Sequence, residues 1–475
     1  MAWKSCFVIL IFCQKVSNVK ERGEFKWKRK FLFQRIFLLD SCYLHFFFGA
    51  GNLIFPAYLG QLSGTSVWIA IIGFLVTGAG LPLMGVLAIG ISGSSDLQTL
   101  ASRVHPVYGI IFTVALYLTI GPFFALPRTG TVSFEIGIAP FLGEGNHQIA
   151  LVVFSIIFFG LTLWLSLSPS KIVDRVGKYL TPALLLFLLI LIVTALVKPL
   201  GEQTAPAGNY ITSPFTTGFL EGYNTMDALA SLVFGIIVIN AVKASGAKTK
   251  RSIAMTCLKA GLIAVGCLAL VYIFIAYIGS MSVGKLGLFD NGGPVLSGAA
   301  DYYFGSFGRI LLALIIGLAC LTTSIGLTTA CASYFQKLFP KIRYGTYVVI
   351  FSAFACLVAN VGLANLISFS VPVLMMIYPL TIVLILLTFL NPLFKGRRVV
   401  YVTTILFTAV ISIMEGAKAF KIPLGGLENF FSSYVPFYNQ SLGWITFGLC
   451  GLVVGIIIAL CTKPTSESAK NEVNI

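Results

Sequence analysis

Charge is what this sequence has least of: of 475 residues only 10% are Asp, Glu, Lys or Arg, against about a quarter in soluble domains. A soluble fold of this length has too little interior to hide a chain that is 57% hydrophobic, so lipid must solvate much of it. Histidine is nearly absent, with three residues and no H-E-x-x-H pattern, which removes a zincin core. The ten cysteines include no C-x-x-C pair, and six of them (Cys257, Cys267, Cys320, Cys331, Cys356 and Cys450) lie inside apolar runs. Disulfides and a zinc site are therefore not expected. No G-x-x-x-x-G-K-[ST] loop occurs, so ATP hydrolysis by this chain is not expected. No cluster of titratable groups forms an enzymatic motif, and none of the loops resembles a channel filter.

What the chain does have is long apolar segments, with a mean hydropathy of +0.95. They fall at about 36–60, 66–91, 107–135, 149–167, 179–197, 218–242, 253–280, 306–335, 344–361, 365–389, 398–414 and 441–461. A spanning helix needs roughly 20 apolar residues and a barrel strand only ~9–11. The segments are therefore helices, and the reading is an all-α integral membrane protein of about twelve spans. The net charge of +16 fits topology better than nucleic acid, because the basic residues sit in short loops. With the N-terminus inside, fourteen Lys and Arg fall in inside loops and four in outside loops. That alternation predicts both termini in the cytoplasm. The turn Leu288-Phe289-Asp290-Asn291-Gly292-Gly293-Pro294 predicts a re-entrant or capping piece.

Five parts follow. Residues 1–35 are a basic N-terminal segment. Residues 36–197 hold five helices, 198–389 five more, and 390–461 two additional ones, before a tail at 462–475.

The informative places are those where a spanning segment carries residues it should not want. The first contains Phe48-Gly49-Ala50-Gly51-Asn52. Glycine and Asn weaken a helix there. The freed carbonyls can hold a cation and the freed N–H groups a carboxylate. The alternative is a close-packed glycine face. The sixth contains Glu221-Gly222-Tyr223-Asn224-Thr225-Met226-Asp227-Ala228. Asp227 at membrane depth is a functional residue by default, unless the segment starts later and these residues cap it. Paired interruptions in two halves are the sequence sign of an inverted-repeat secondary transporter. The eighth carries Thr322, Thr323 and neighbouring hydroxyls, which serve either a hard cation or helix packing. The third carries Pro122, Pro127, Arg128 and Glu135. The prolines predict distortion, and Arg128 with Glu135 as its candidate partner predicts a structural or gating role. The tenth carries Phe369, Pro372 and Pro379, and the prolines predict kinks.

Three strings resemble one family: FFGAGNLIFPAYLGQLSG (47–64), GPFFALPRTGTVSFEIG (121–137) and EGYNTMDALASLVFGIIVINAVK (221–243). They are similar to the BrnQ-type branched-chain amino acid carriers of bacteria, the LIVCS family of the amino acid–polyamine–cation superfamily. The resemblance runs from about Phe46 to about residue 462 and implies a LeuT-like five-plus-five inverted repeat with discontinuous helices 1 and 6. It further implies symport of leucine, isoleucine and valine across the bacterial plasma membrane, driven by sodium or protons. No other cofactor, nucleic acid or obligate protein partner is implied, and a related carrier of another small solute is the runner-up. By the same resemblance Gly49, Ala50, Gly51 and Asn52 take the carboxylate, and Asn224, Thr225 and Asp227 face the ammonium and side chain. Phe48, Asn52, Thr322 and Thr323 hold the cation, and Phe234 and Phe369 form apolar walls. One departure stands out. Gln34, Arg35, Asp40 and His45 interrupt a half-helix that is apolar in the family. A reading-frame or start-site change upstream of Phe46 is the expectation, with poor insertion or transport as its consequence; the alternative is a true variant with a polar cytoplasmic gate.

Overall fold

The structure is a computed structural model; it describes residues 49, 51–142, 146–167, 171–244, 246–247 and 249–462. Among them every regular element is helical. In chain order the helices are α1 (Gly51–Ser63), α2 (67–92), α3 (Pro106–Phe141), α4 (His147–Leu167), α5 (Lys171–Val197), α6 (Pro214–Thr225) and α7 (Asp227–Ala244). They continue as α8 (Lys250–Leu286), α9 (Gly293–Leu338), α10 (Tyr344–Ala359), α11 (Leu363–Leu390), α12 (Arg398–Ala419), α13 (Gly426–Tyr434) and α14 (Gly443–Cys461).

Helices dominate because backbone polar groups in lipid must be satisfied within the segment. The outward faces confirm the solvent: Ile149, Trp164, Leu357 and Leu460 are each at least 65% exposed, and a surface of such residues is suited to acyl chains. This is a multi-pass membrane protein. By length and composition eight helices among the described residues can cross a bilayer, or nine if α6 and α7 make one bent span. That is fewer than the twelve segments expected. Two of those segments share the run Gly51–Ser92, divided at Gly64 (φ +47), and two are the short apolar helices Pro182–Val197 and Tyr344–Ala359.

Several sequence features act as local punctuation. Gly93 ends α2 in the left-handed conformation (φ +67), which glycine adopts without strain. Asp96 then caps the short helix Leu97–Ala101 by accepting from the Thr99 N–H at 2.8 Å. Burial raises the Asp96 carboxyl, but bonds from Lys337 and Thr99 outweigh it and hold it below the usual carboxylate range. In α3, Pro122 sits in a wide turn, Thr119–Phe123, where Gly121 leaves helical geometry. Pro127 falls in the first turn after it, where its missing N–H costs nothing. The Asn291–Pro294 turn leads, as expected, into a separate helical piece: α9 breaks at Gly305 (φ +60). Pro372 and Pro379 lie inside one continuous helix, α11.

The packing repeats itself across the two halves. α1, in the first segment, lies on α8, the seventh; α6, in the sixth, lies on α2, the second. α3 lies on α9, third on eighth, and α4 on α10, fourth on ninth. Exchanging each segment for the one five places away maps these pairs onto one another, as an inverted repeat requires. Both unlike pairs also use glycine at the contact. A Cβ on Gly60 would overlap the Ala276 carbonyl, and one on Gly218 the Ala70 carbonyl. Backbones approach this closely only where side chains are missing. These contacts fix α1 against α8 and α6 against α2.

Candidate functional site

The sixth segment is broken where its polar cluster predicted. Helical geometry stops after Thr225 and resumes at Asp227, with a 45° bend between α6 and α7. The pivot is Met226, whose φ of +60 is left-handed, a strained position for a residue with a long side chain. In the first segment Gly49 is outside the helix and α1 begins at Gly51. Phe48 and Ala50 lie outside the described residues, as does the preceding stretch, 1–47.

One side chain joins the start of α1 to the break in the sixth segment. Asn52 accepts from the Gly49 N–H at 3.0 Å through Oδ1. Its Nδ2 donates to Asp227 Oδ2 at 2.5 Å and also to the Tyr272 hydroxyl. Tyr272, fully buried on α8, donates to the same carboxylate oxygen at 3.3 Å. Asp227 is thus a buried carboxylate with neutral donors on one oxygen. It makes no ion pair within 4.0 Å among the described residues.

A cavity of about 110 Å³ opens beside this group, against the ~10–15 Å³ that one water needs on the same measure. Its walls bring together Gly49, Gly51, Asn52, Thr225, Asp227, Phe234, Thr322 and Thr323, all expected site residues. Both threonine hydroxyls donate to the Ala319 carbonyl of their own helix, at 2.9 and 3.0 Å. A hydroxyl oriented that way keeps its lone pairs for another partner. Asn224 is buried next to the cavity, and its carbonyl is taken by Arg128.

Two expectations need correction. Arg128 does not pair with Glu135. It reaches the Asn224 carbonyl at 2.5 Å and Ser370 Oγ at 3.1 Å, and its guanidinium lies 4.9 Å from the centre of the Phe55 ring. Glu135, about two turns along, is half-buried against the turn at Gly293. The carbonyl freed by the break in the sixth segment supplied the partner instead. Phe369 is no cavity wall, being 59% exposed; its neighbour Ser370 faces inward to Arg128. Phe234 is a wall as expected, and the rest of the apolar surface comes from residues not assigned to it from the sequence: Ile120, Ala125, Met226, Ala230 and Leu327. Tyr272 was also missed, because a tyrosine in an apolar run reads as ordinary core.

With this geometry in hand, comparison with known proteins is decisive. The sequence model described as "Branched-chain amino acid transport protein" matches residues 33–462. The chain belongs to that family. It is therefore a transport protein and not an enzyme. The branched-chain amino acid permease BrnQ of Bacillus subtilis (strain 168) is 51% identical over 420 residues, covering 88% of this chain and 96% of the relative. BraB of the same organism is 48% identical, over 89% of this chain and 94% of its own length. The branched-chain amino acid transport system 2 carrier protein of Pseudomonas aeruginosa is 42% identical, over 89% and 96%. The family match begins upstream of Phe46, so Gln34, Arg35, Asp40 and His45 fall inside it. This corrects the expected boundary of family-like sequence.

Two solved structures share the fold. Mhp1, a nucleobase-cation-symport-1 family transporter in a closed conformation with bromovinylhydantoin, aligns with a TM-score of 0.58 at 14% identity, covering 93% of this chain and 96% of its own. MhsT, in complex with L-phenylalanine, gives 0.53 at 14% identity over 89% and 97%. The architecture is the LeuT-like one that the paired interruptions indicated.

Proposed function

We propose that this chain is a secondary active symporter that imports leucine, isoleucine and valine across the bacterial plasma membrane, driven by a sodium or proton gradient, with both termini cytoplasmic. The observation that carries the reading is the cavity between the start of α1 and the break in the sixth segment, with Asp227 and the Thr322–Thr323 pair on its walls. A zwitterion with a branched aliphatic side chain needs three things: N–H donors for its carboxylate, an acceptor for its ammonium, and an apolar surface. The start of α1 at Gly51 and Asn52 offers the first. Asp227 and the backbone about Met226 offer the second. Ile120, Phe234 and Leu327 offer the third. The permeases and the carrier protein to which the chain is similar are described as acting on branched-chain amino acids, which supports the same substrate class here.

Two observations bear on the coupling ion. The free lone pairs of Thr322 and Thr323 suit sodium, which takes oxygen ligands. The buried, neutral-bonded Asp227 carboxylate suits a proton. Uptake of labelled leucine into vesicles, with sodium and pH gradients imposed separately, separates them. Accumulation against the leucine gradient under at least one of the two is expected. Equilibration without accumulation under both would remove the symport reading.

A further inference from the structure

We propose that Arg128 is the cationic receptor of the substrate's carboxylate. The inference rests on the amino-acid reading above and deepens it. Arg128 was expected to lock or gate α3, and its two formed bonds fit that. They do not use up the side chain. A guanidinium carries five N–H donors. One nitrogen donates to the Asn224 carbonyl and the other terminal nitrogen to Ser370 Oγ. Nε is buried and has no hydrogen-bond partner among the described residues, which leaves three of the five N–H groups.

Its charge has no ion-pair partner either, among the described residues. Arg128 is only 3% exposed and has no carboxylate within 4.0 Å among the described residues. Glu221, on α6, is near enough to act on it through space but forms no ion pair with it. Glu135 packs its Cβ near Gly293 and forms no ion pair with Arg128. The face of the guanidinium is covered by Phe55. What remains open is the cavity, of which Arg128 is a lining residue together with Thr129.

Among the described residues, that cavity therefore holds one cationic side chain, Arg128 on α3, and one carboxyl group, Asp227 on α7, unpaired with each other within 4.0 Å. A dipolar site of this kind matches an α-amino acid, whose carboxylate and ammonium are opposite charges a few bonds apart. Arg binds carboxylates more strongly than neutral N–H donors do, and with defined geometry. The bond to the Asn224 carbonyl adds a consequence: carboxylate binding at Arg128 bears directly on the residue two before the Met226 pivot.

Binding of leucine and leucinamide to the purified full chain tests this. The amide keeps the ammonium and the side chain and loses only the negative charge. The unaltered chain is expected to favour leucine by roughly tenfold or more. Arg128→Gln should collapse that preference, and Arg128→Lys should keep part of it. The preference for leucine over 4-methylpentanoate, which lacks the ammonium, should stay as in the unaltered chain. A residue that only ties α6 to α11 would weaken all three ligands alike. Equal binding of leucine and leucinamide by the unaltered chain overturns the assignment even if neither variant folds. So does an unchanged leucine-to-leucinamide ratio in a variant that binds. If the unaltered chain binds no leucine at all, the function proposed above fails and this assignment with it.

Discussion

Glycine and threonine do opposite things in two regions of this molecule. Along the seam between α12 and α14, Gly448, Gly451 and Gly455 face Thr408, Thr404 and Thr403. There both helices run unbroken. Around the cavity, Gly49 and Gly51 accompany the start of α1, and Thr322 and Thr323 line open space. The hydroxyls make the same bond in both places, to a carbonyl of their own helix one turn back. The difference lies in what stands opposite. At the seam glycine removes a side chain so that a neighbouring backbone can fill the space. At the cavity, Asn52 and Asp227 tie the start of α1 to the start of α7, and the space beside them stays open. Small residues in a membrane helix mark a site only when a polar, hydrogen-bonding residue stands among them.

The largest effect should follow from attacking the cavity's polar link. Asp227→Asn removes the negative charge while keeping the shape. Leucine accumulation in vesicles is expected to fall at least about 100-fold, as for loss of a buried charged partner, while the protein remains folded in detergent. Full accumulation would return Asp227 to a structural role. The matching change at the seam is Gly451→Leu. A Cβ there would already lie 2.9 Å from the Thr403 carbonyl oxygen and the Thr404 Cα. The substitution should destabilise by about 1–3 kcal/mol, read as a lower unfolding temperature. Transport per folded molecule should be nearly unchanged. A variant that is stable yet inactive would show that the seam takes part in transport.

The sequence exposed these regions unequally, for physical reasons. A carboxylate at membrane depth is expensive enough to be conspicuous, so the break at 224–228 was legible. The pivot was not, because Met226 has no intrinsic preference for a left-handed backbone. Apolar walls were misjudged for a different reason. Lipid is as apolar as a protein interior, so nothing in Phe369 says whether it faces inward or outward, whereas the smaller polar Ser370 beside it had to face in. The partner of Arg128 was hidden because it is a main-chain carbonyl, available only once α6 has ended. The fold itself was readable at the level of segment order and paired interruptions. The number of spans was less so, because neighbouring helices merge and two are short.

A smaller effect, on one property only, is expected at the cavity threonines. Thr322→Ala combined with Thr323→Ala removes two oxygens from the wall while leaving Asn52, Tyr272 and Asp227 in place. If sodium drives uptake, the sodium concentration for half-maximal uptake should rise by roughly tenfold. The ranking of leucine, isoleucine and valine should hold. Unchanged sodium dependence in the double variant would remove the ion from this wall and leave the proton on Asp227 as the driver.

The smallest effect belongs to Thr408→Val, the seam counterpart of those threonines. Thr408 is completely buried, and its hydroxyl donates only to the Thr404 carbonyl at 2.8 Å. That carbonyl keeps its helix bond when the hydroxyl is gone. A Cβ on Gly448 would lie 3.2 Å from Thr408 Oγ1, but Gly448 has none, so a methyl group has room. One self-satisfied hydrogen bond is lost, worth about 0.5–1.5 kcal/mol at most, and part of that returns because valine needs no partner. Thermal unfolding should shift slightly and the sodium dependence of uptake not at all. If Thr408→Val instead altered sodium dependence as much as the double change in α9, then helix-bonded hydroxyls would matter wherever they stand. Facing the cavity would no longer be what distinguishes the two regions.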